Sequence, residues 1–150
     1  MSFSQAHPAL ARALAARGYA DPTAVQSAVA APELAGADML VSARTGSGKT
    51  VAFGMALAER LLGPAEVFAA AGKPLALVVA PTRELALQVA RELAWLYGET
   101  GARLVSCVGG MDPRREQRQL AQGAHIVVGT PGRLCDHLDR GNLDLTDAVA

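Results

Sequence analysis

Four short apolar runs, each broken by small or turn-forming residues and followed by a helix-like stretch, constrain this chain more than any other feature. The runs are DMLVSA (38–43), LALVVA (75–80), RLVSCV (103–108) and HIVVG (125–129). After the first, a helix is expected over 49–62, stopped by Gly63 and Pro64. After the second, Pro81 and Thr82 turn the chain into a helix with Leu85, Val89, Leu93 and Leu96 in one stripe. After the third, Asp112 and Pro113 read as N-cap and first-turn proline of a helix that Gly123 ends. After the fourth, Thr130 and Pro131 cap a helix running to about Arg140. Strand and helix in alternation predict an α/β fold, a parallel sheet wrapped by helices. Two helices precede the alternation, at 8–17 and at about 22–31, the second capped by Asp21. The closing residues NLDLTDAVA begin what reads as one more strand.

Bulk properties exclude several classes. No run of eighteen apolar residues occurs, so no membrane-spanning segment is expected. The N-terminal stretch lacks an apolar signal region and carries Arg12 and Arg17 in a helical pattern, so it reads as mature structure. Lone cysteines at 107 and 135 suggest neither a zinc site nor a disulfide framework, which fits a reducing, cytoplasmic setting. Formal net charge is +0, so any polyanion site must be local. All the basic residues except Lys49 and Lys73 are arginine, whose forked guanidinium matches phosphate geometry.

One junction is more specific than the rest. VSARTGSGKT (41–50) has the strand-before, helix-after context of a phosphate-binding loop. Gly46 and Gly48 can take backbone angles closed to other residues and let amides approach oxygens. Those amides and the following helix N-terminus form an anion nest. Lys49 supplies a point charge, and the Thr50 hydroxyl is placed to help hold Mg²⁺. Ala43 stands where the usual pattern has its first glycine, a position that accepts a small side chain. In open α/β sheets ligands gather at the C-terminal strand ends. The other three ends carry APTRELALQ, GGMD and GTPGRL, each suited to an oxygen anion. Taken singly each is ordinary helix punctuation; together on one edge they predict a ligand with repeated phosphates. None of the six aromatic residues lies in these junctions, so base stacking is not expected. Trp95 and Tyr97 read as packing residues, and Arg114, Arg115, Glu116 and Arg118 as a solvated helix face.

In series, GYADPTAVQ (18–26), ARTGSGKT, PTRELALQ, Gly109-Gly110 and TPGRL resemble the first RecA-like domain of DEAD-box RNA helicases in order and rough spacing. The resemblance covers nearly the whole chain. It implies a RecA-like P-loop NTPase fold, with a Q-motif region at 1–31 and the P-loop at 43–50. It implies that Gln26 recognises adenine, in keeping with the bidentate match of a glutamine amide to adenine N6 and N7, and that Tyr19 lies near the base. Ala43, Arg44, Thr45, Gly46, Ser47, Gly48, Lys49 and Thr50 would hold the phosphates of ATP, with Lys49 and Thr50 serving catalysis and Thr50 the Mg²⁺. Pro81, Thr82, Arg83, Glu84, Gly110, Thr130, Pro131, Gly132 and Arg133 would line RNA along its sugar-phosphate backbone, with little sequence preference. Ala24-Val25 replaces the usual Pro-Ile of the Q-motif, a change in packing. Phe3 lies a couple of residues closer to Gly18 than the family's upstream aromatic and is left out of the site.

An ATPase also needs an acidic residue at the end of an apolar strand to hold Mg²⁺. None of the runs after Thr50, LALVVAPT, RLVSCVGG, HIVVGT and the closing TDAVA, supplies one, and the Asp-Glu-Ala-Asp motif that names the family is absent. The expectation is a domain incomplete at its C-terminus, the N-terminal part of an ATP-dependent RNA helicase, which alone neither hydrolyses ATP nor unwinds RNA. A DNA-directed translocase of the same superfamily and a non-catalytic RNA-binding module are the alternatives.

Overall fold

A computed structural model describes residues 3–150; the first two residues of the expected 1–31 region lie outside it. Three of the four apolar runs form the sheet: β1 (Ala76–Val79), β2 (Leu104–Cys107) and β3 (Ile126–Gly129). The order is β1-β3-β2 and both pairings are parallel. Parallel neighbours require long crossovers, and helices supply them. Helix α4 (Arg83–Leu96) links β1 to β2, and α5 (Pro113–Ala121) links β2 to β3. Helix α6 (Pro131–Asp139) follows β3. Ahead of the sheet lie α1 (Pro8–Ala16), α2 (Ala24–Val29) and α3 (Lys49–Leu62).

The central strand explains its own sequence. β3 is buried along its whole length, so IVVG has no polar face to present. Ile126 and Val128 enter one core with Leu10, Leu14, Met55, Leu93 and Leu96 from α1, α3 and α4. Val127 enters a second core with Val105, Cys107, Leu120 and Leu134, so α5 and α6 cover the opposite face. Alternate residues of a strand point to opposite faces, which is how one strand serves both cores. Among the described residues no helix is long and apolar enough to cross a membrane.

Three expectations need correction. Residues 38–43 form no strand; they run unpaired, with Leu40 fully exposed. A strand needs a neighbour about 4.8 Å away, and a cleft of about 550 Å³ separates Met39 and Val41 from Leu77, Val78 and Val79 of β1. The start of β1's free edge is met by the chain's last residues: Val149 N donates to Leu75 O (2.8 Å) and Leu77 N to Ala150 O (3.0 Å). Those residues thus begin the pairing that their sequence suggests. Second, α2 begins at Ala24, two residues later than expected, because Thr23 rather than Asp21 is its cap. The Thr23 hydroxyl accepts from Gln26 N while the Gln26 side chain accepts from Thr23 N, a reciprocal capping box. Third, Leu85 is largely exposed, and Ala86 and Ala90 fill the buried stripe with Val89, Leu93 and Leu96.

Gly54 on α3 shows how tightly the first core is closed. Its carbonyl accepts the buried Tyr97 hydroxyl at 2.6 Å. A methyl group added there would lie 2.6 Å from Leu96 Cδ2 and 3.1 Å from Leu93 Cδ2. In an open helix, Gly→Ala gains roughly 1 kcal/mol. Here overpacking at about 1–3 kcal/mol outweighs that gain. Gly54→Ala is therefore expected to lower stability by about 1 kcal/mol, read from the urea midpoint; a raised midpoint would contradict the packing.

Candidate functional site

The site begins with register. Val79 and Cys107 both lie opposite Gly129, so the three strands end level. Residues 81–84, 130–133 and 109–112 leave the sheet on one rim, with neighbouring strands about 4.8 Å apart. Lys49 lines the same cleft as Val79 at the end of β1, so the glycine loop sits beside that rim.

The loop is held by α2, not by a sheet strand. Thr23 Oγ1 donates to Ser47 O (2.8 Å), and Gln26 Nε2 donates to Gly48 O (3.3 Å). Gly46 and Gly48 both have positive φ, 79° and 83°. A side chain at Gly48 would collide with the Gln26 amide. Two features fit an oxygen anion here. The Ser47 hydroxyl oxygen is buried with no hydrogen-bond partner. Lys49 Nζ donates to Ala43 O (2.7 Å), which folds the ammonium back over the loop. Thr50 follows in the first turn of α3, and Arg44, Thr45 and Gly46 are exposed.

Gln26 is 1 % exposed. Its Oε1 accepts from Thr23 N (3.0 Å) and its Nε2 serves Gly48, which leaves one lone pair and one N–H unused. It lines a cavity of about 450 Å³ with Phe3, Pro22, Glu33 and Met55. Phe3, set aside on spacing, thus shares a wall with Gln26. Tyr19 does not line this cavity. It stacks on Trp95 at 5.5 Å, and Arg17 lies 4.9 Å from the same indole ring.

The three rim junctions differ in chemistry. Thr82 caps α4, its hydroxyl accepting from Leu85 N (3.2 Å), whereas Thr130 makes no side-chain cap. Pro81, Glu84, Pro131 and Gly132 are exposed. Arg83 is exposed and forms no ion pair among the described residues. Its guanidinium lies over Gly110, where a Cβ would meet Nη2 at 2.5 Å, and Gly110 also has φ +81°. Only glycine suits that point on both counts.

Arg133 behaves oppositely. Its side chain is 13 % exposed and forms an ion pair with Glu116 at 2.9 Å. The expected solvated face on α5 is therefore half right: Arg114, Arg115 and Arg118 are exposed, but Glu116 is buried. The structure brings Cys107, Glu116 and His137 together, with donor atoms within 4.8 Å of one another. Both Glu116 oxygens already accept N–H donors, so the group reads as a hydrogen-bonded hub. Burial pushes the Cys107 thiol up to about 12; the Glu116 carboxylate adds to the rise and Arg133 opposes it. Sequence reading missed Glu116 because it stands among exposed arginines; its spacing to Leu120, one helical turn on, was the available signal.

A parallel sheet flanked by helices, with a glycine loop beside its C-terminal rim, defines a RecA-like α/β domain. The chain belongs to the DEAD/DEAH box helicase family, whose model matches residues 23–149. It is 42 % identical over 147 residues to the ATP-dependent RNA helicase DeaD of Mycobacterium tuberculosis, covering 95 % of this chain and 24 % of that protein. It superposes on a yeast DEAD-box splicing factor with a TM-score of 0.83 at 27 % identity, covering 98 % of this chain and 36 % of the other. A DEAD box protein of Methanococcus jannaschii gives 0.78 at 33 % identity, over 95 % and 38 %. The chain thus spans about a quarter of that curated relative's length.

The two cysteines should separate chemically. At pH 8.5 iodoacetamide is expected to alkylate exposed Cys135 and spare Cys107, whose thiol stays protonated until near pH 12. Mass spectrometry before and after urea unfolding checks this; native labelling of Cys107 would count against the hub.

Proposed function

We propose that this chain binds ATP and the sugar-phosphate backbone of RNA, as the N-terminal RecA-like part of an ATP-dependent RNA helicase that separates short duplexes. Family membership supports the reading, and the level rim carries it. Three junctions emerge side by side beside the glycine loop, so a mononucleotide and a polymer can be held next to each other.

The adenine would enter the Gln26 cavity and use the unspent donor and acceptor of that amide. Residues 43–50 would take the phosphates, with Lys49 exchanging the Ala43 carbonyl for a phosphate oxygen. Mg²⁺ would neutralise phosphate charge, and Thr50 is the residue here that would help hold it. On the rim, backbone amides at the starts of α4 and α6 and the exposed Arg83 would track successive RNA phosphates. Few aromatics and no ring in the junctions favour sequence-independent contact. The two free cysteines, Cys107 and Cys135, favour the expected reducing, cytoplasmic setting.

The 150-residue chain is proposed not to turn over ATP, since none of the three strands among the described residues runs directly into an acidic residue. RNA-stimulated phosphate release by purified residues 1–150 would overturn that statement.

Two variants test the two halves of the site. Lys49→Ala is expected to weaken binding of a fluorescent ATP analogue about tenfold or more while leaving the circular dichroism unchanged. Arg83→Ala is expected to weaken oligo(U) binding equally for all base compositions and to reduce the salt slope by about 0.7. Competition by oligo(dT) as effective as by oligo(U) would favour the DNA-translocase reading instead.

A further inference from the structure

Helix α5 is polar nearly throughout, yet Glu116 on it is 4 % exposed, the one buried carboxylate among the described residues. A buried carboxylate persists only when its oxygens are engaged. Oε2 accepts from Val108 N at 3.1 Å. Oε1 accepts from Arg133 Nη1 at 2.9 Å and from His137 Nε2 at 2.8 Å. Arg133 Nη2 donates onward to Met111 O at 3.1 Å, and Asn142 Nδ2 contacts His137 Nδ1 at 3.1 Å. With Asn142 donating there, the Nε2 proton points to Glu116, so the imidazole needs no charge to complete the network.

These bonds tie two rim junctions together. One is the loop after β2, through Val108 and Met111; the other is the first turn of α6, through Arg133. Such a pair adds little net stability compared with an apolar replacement, so its consequence is positional. Arg133 is committed inward, while Arg83 lies open over Gly110.

We propose that Glu116 is a positioning residue for nucleic-acid binding: through Val108 and Arg133 it sets the spacing between the 109–111 loop and the N-terminus of α6, and Arg133 is its strut rather than a phosphate contact. The proposal rests on the RNA reading above and deepens it. Two adjacent phosphates meet two sets of backbone amides only if those sets keep a fixed separation. The last backbone bond between β3 and β2 is Thr130 N to Cys107 O at 3.1 Å, and beyond it the hub supplies that separation.

The test uses the 150-residue chain, fluorescein-labelled oligo(U) and a fluorescent ATP analogue. Glu116→Gln keeps the size and one acceptor oxygen but loses the ion pair. It is expected to weaken oligo(U) binding about tenfold, with the slope of log affinity against log salt unchanged and nucleotide affinity unchanged. Arg133→Met should match it, and the double variant should be no weaker than the weaker single one. Oligo(U) binding by Glu116→Gln equal to or tighter than that of the unaltered chain would overturn the proposal. So would a fall in slope of about 0.7 for Arg133→Met, the mark of a direct phosphate contact. Should Glu116→Gln lose nucleotide binding too, Arg133→Lys decides. Lysine keeps the charge but cannot bridge Glu116 and Met111 through two nitrogens, so weakened oligo(U) binding supports the strut and unchanged binding refutes it. Failure of the unaltered chain to bind oligo(U) removes the RNA reading and this proposal together; binding by the unaltered chain that Glu116→Gln leaves intact removes this proposal alone.

Discussion

The parallel, in-register pairing of β1, β3 and β2 is the constraint on which the rest depends. Parallel pairing forces every connection to cross back along a face of the sheet, so helices must start where strands end. Each helix N-terminus therefore arrives on the same rim with first-turn amides that have no partner within their own helix. Level strand ends make those junctions leave from neighbouring strands about 4.8 Å apart. A register shift would tilt the rim, scatter the junctions and move β3's side chains between the two cores.

Beside this rim the glycine loop depends on a different support. No ladder hydrogen bonds hold the residues before it. Instead Thr23 and Gln26 reach across from α2 to the carbonyls of Ser47 and Gly48. Gln26 thereby closes its own helix cap, clamps the loop and lines the cavity that would receive a base. A change at that one amide is felt at all three places, so under the proposed reading base recognition would be coupled to the shape of the glycine loop by direct contact.

The two rim arginines show how one residue type serves two purposes. Arg83 is exposed over a glycine that leaves it room; Arg133 is drawn inward by a buried carboxylate. The exposed guanidinium keeps its donors for a ligand, whereas the inward one spends them on Glu116 and Met111. Rigid spacing on one side and an available cation on the other suit a surface that holds a repeating anion without reading bases.

Much of this was legible in the chain itself. The α/β class, the helix at 49–62, the three strands and their crossovers, and the glycine loop followed from local chemistry: β-branched runs, Gly and Pro punctuation, and capping residues act over a few residues of sequence. Whether residues 38–43 pair was not a local matter. Their apolar pattern satisfies a strand, but pairing needs a partner at hydrogen-bonding distance, and the fold places a cleft there instead. Tyr19 likewise was set against Trp95 by the packing of distant segments, and Phe3 against the Gln26 cavity. Glu116 is the clearest case. In sequence it is one charge in RREQR; only the meeting of α5, α6 and the loop after β2 surrounds it with donors and makes burial tolerable. Composition and spacing determine which segments can become helix, strand or anion-binding turn. Which charges turn inward is decided by tertiary structure, because desolvation depends on what the rest of the chain packs against them.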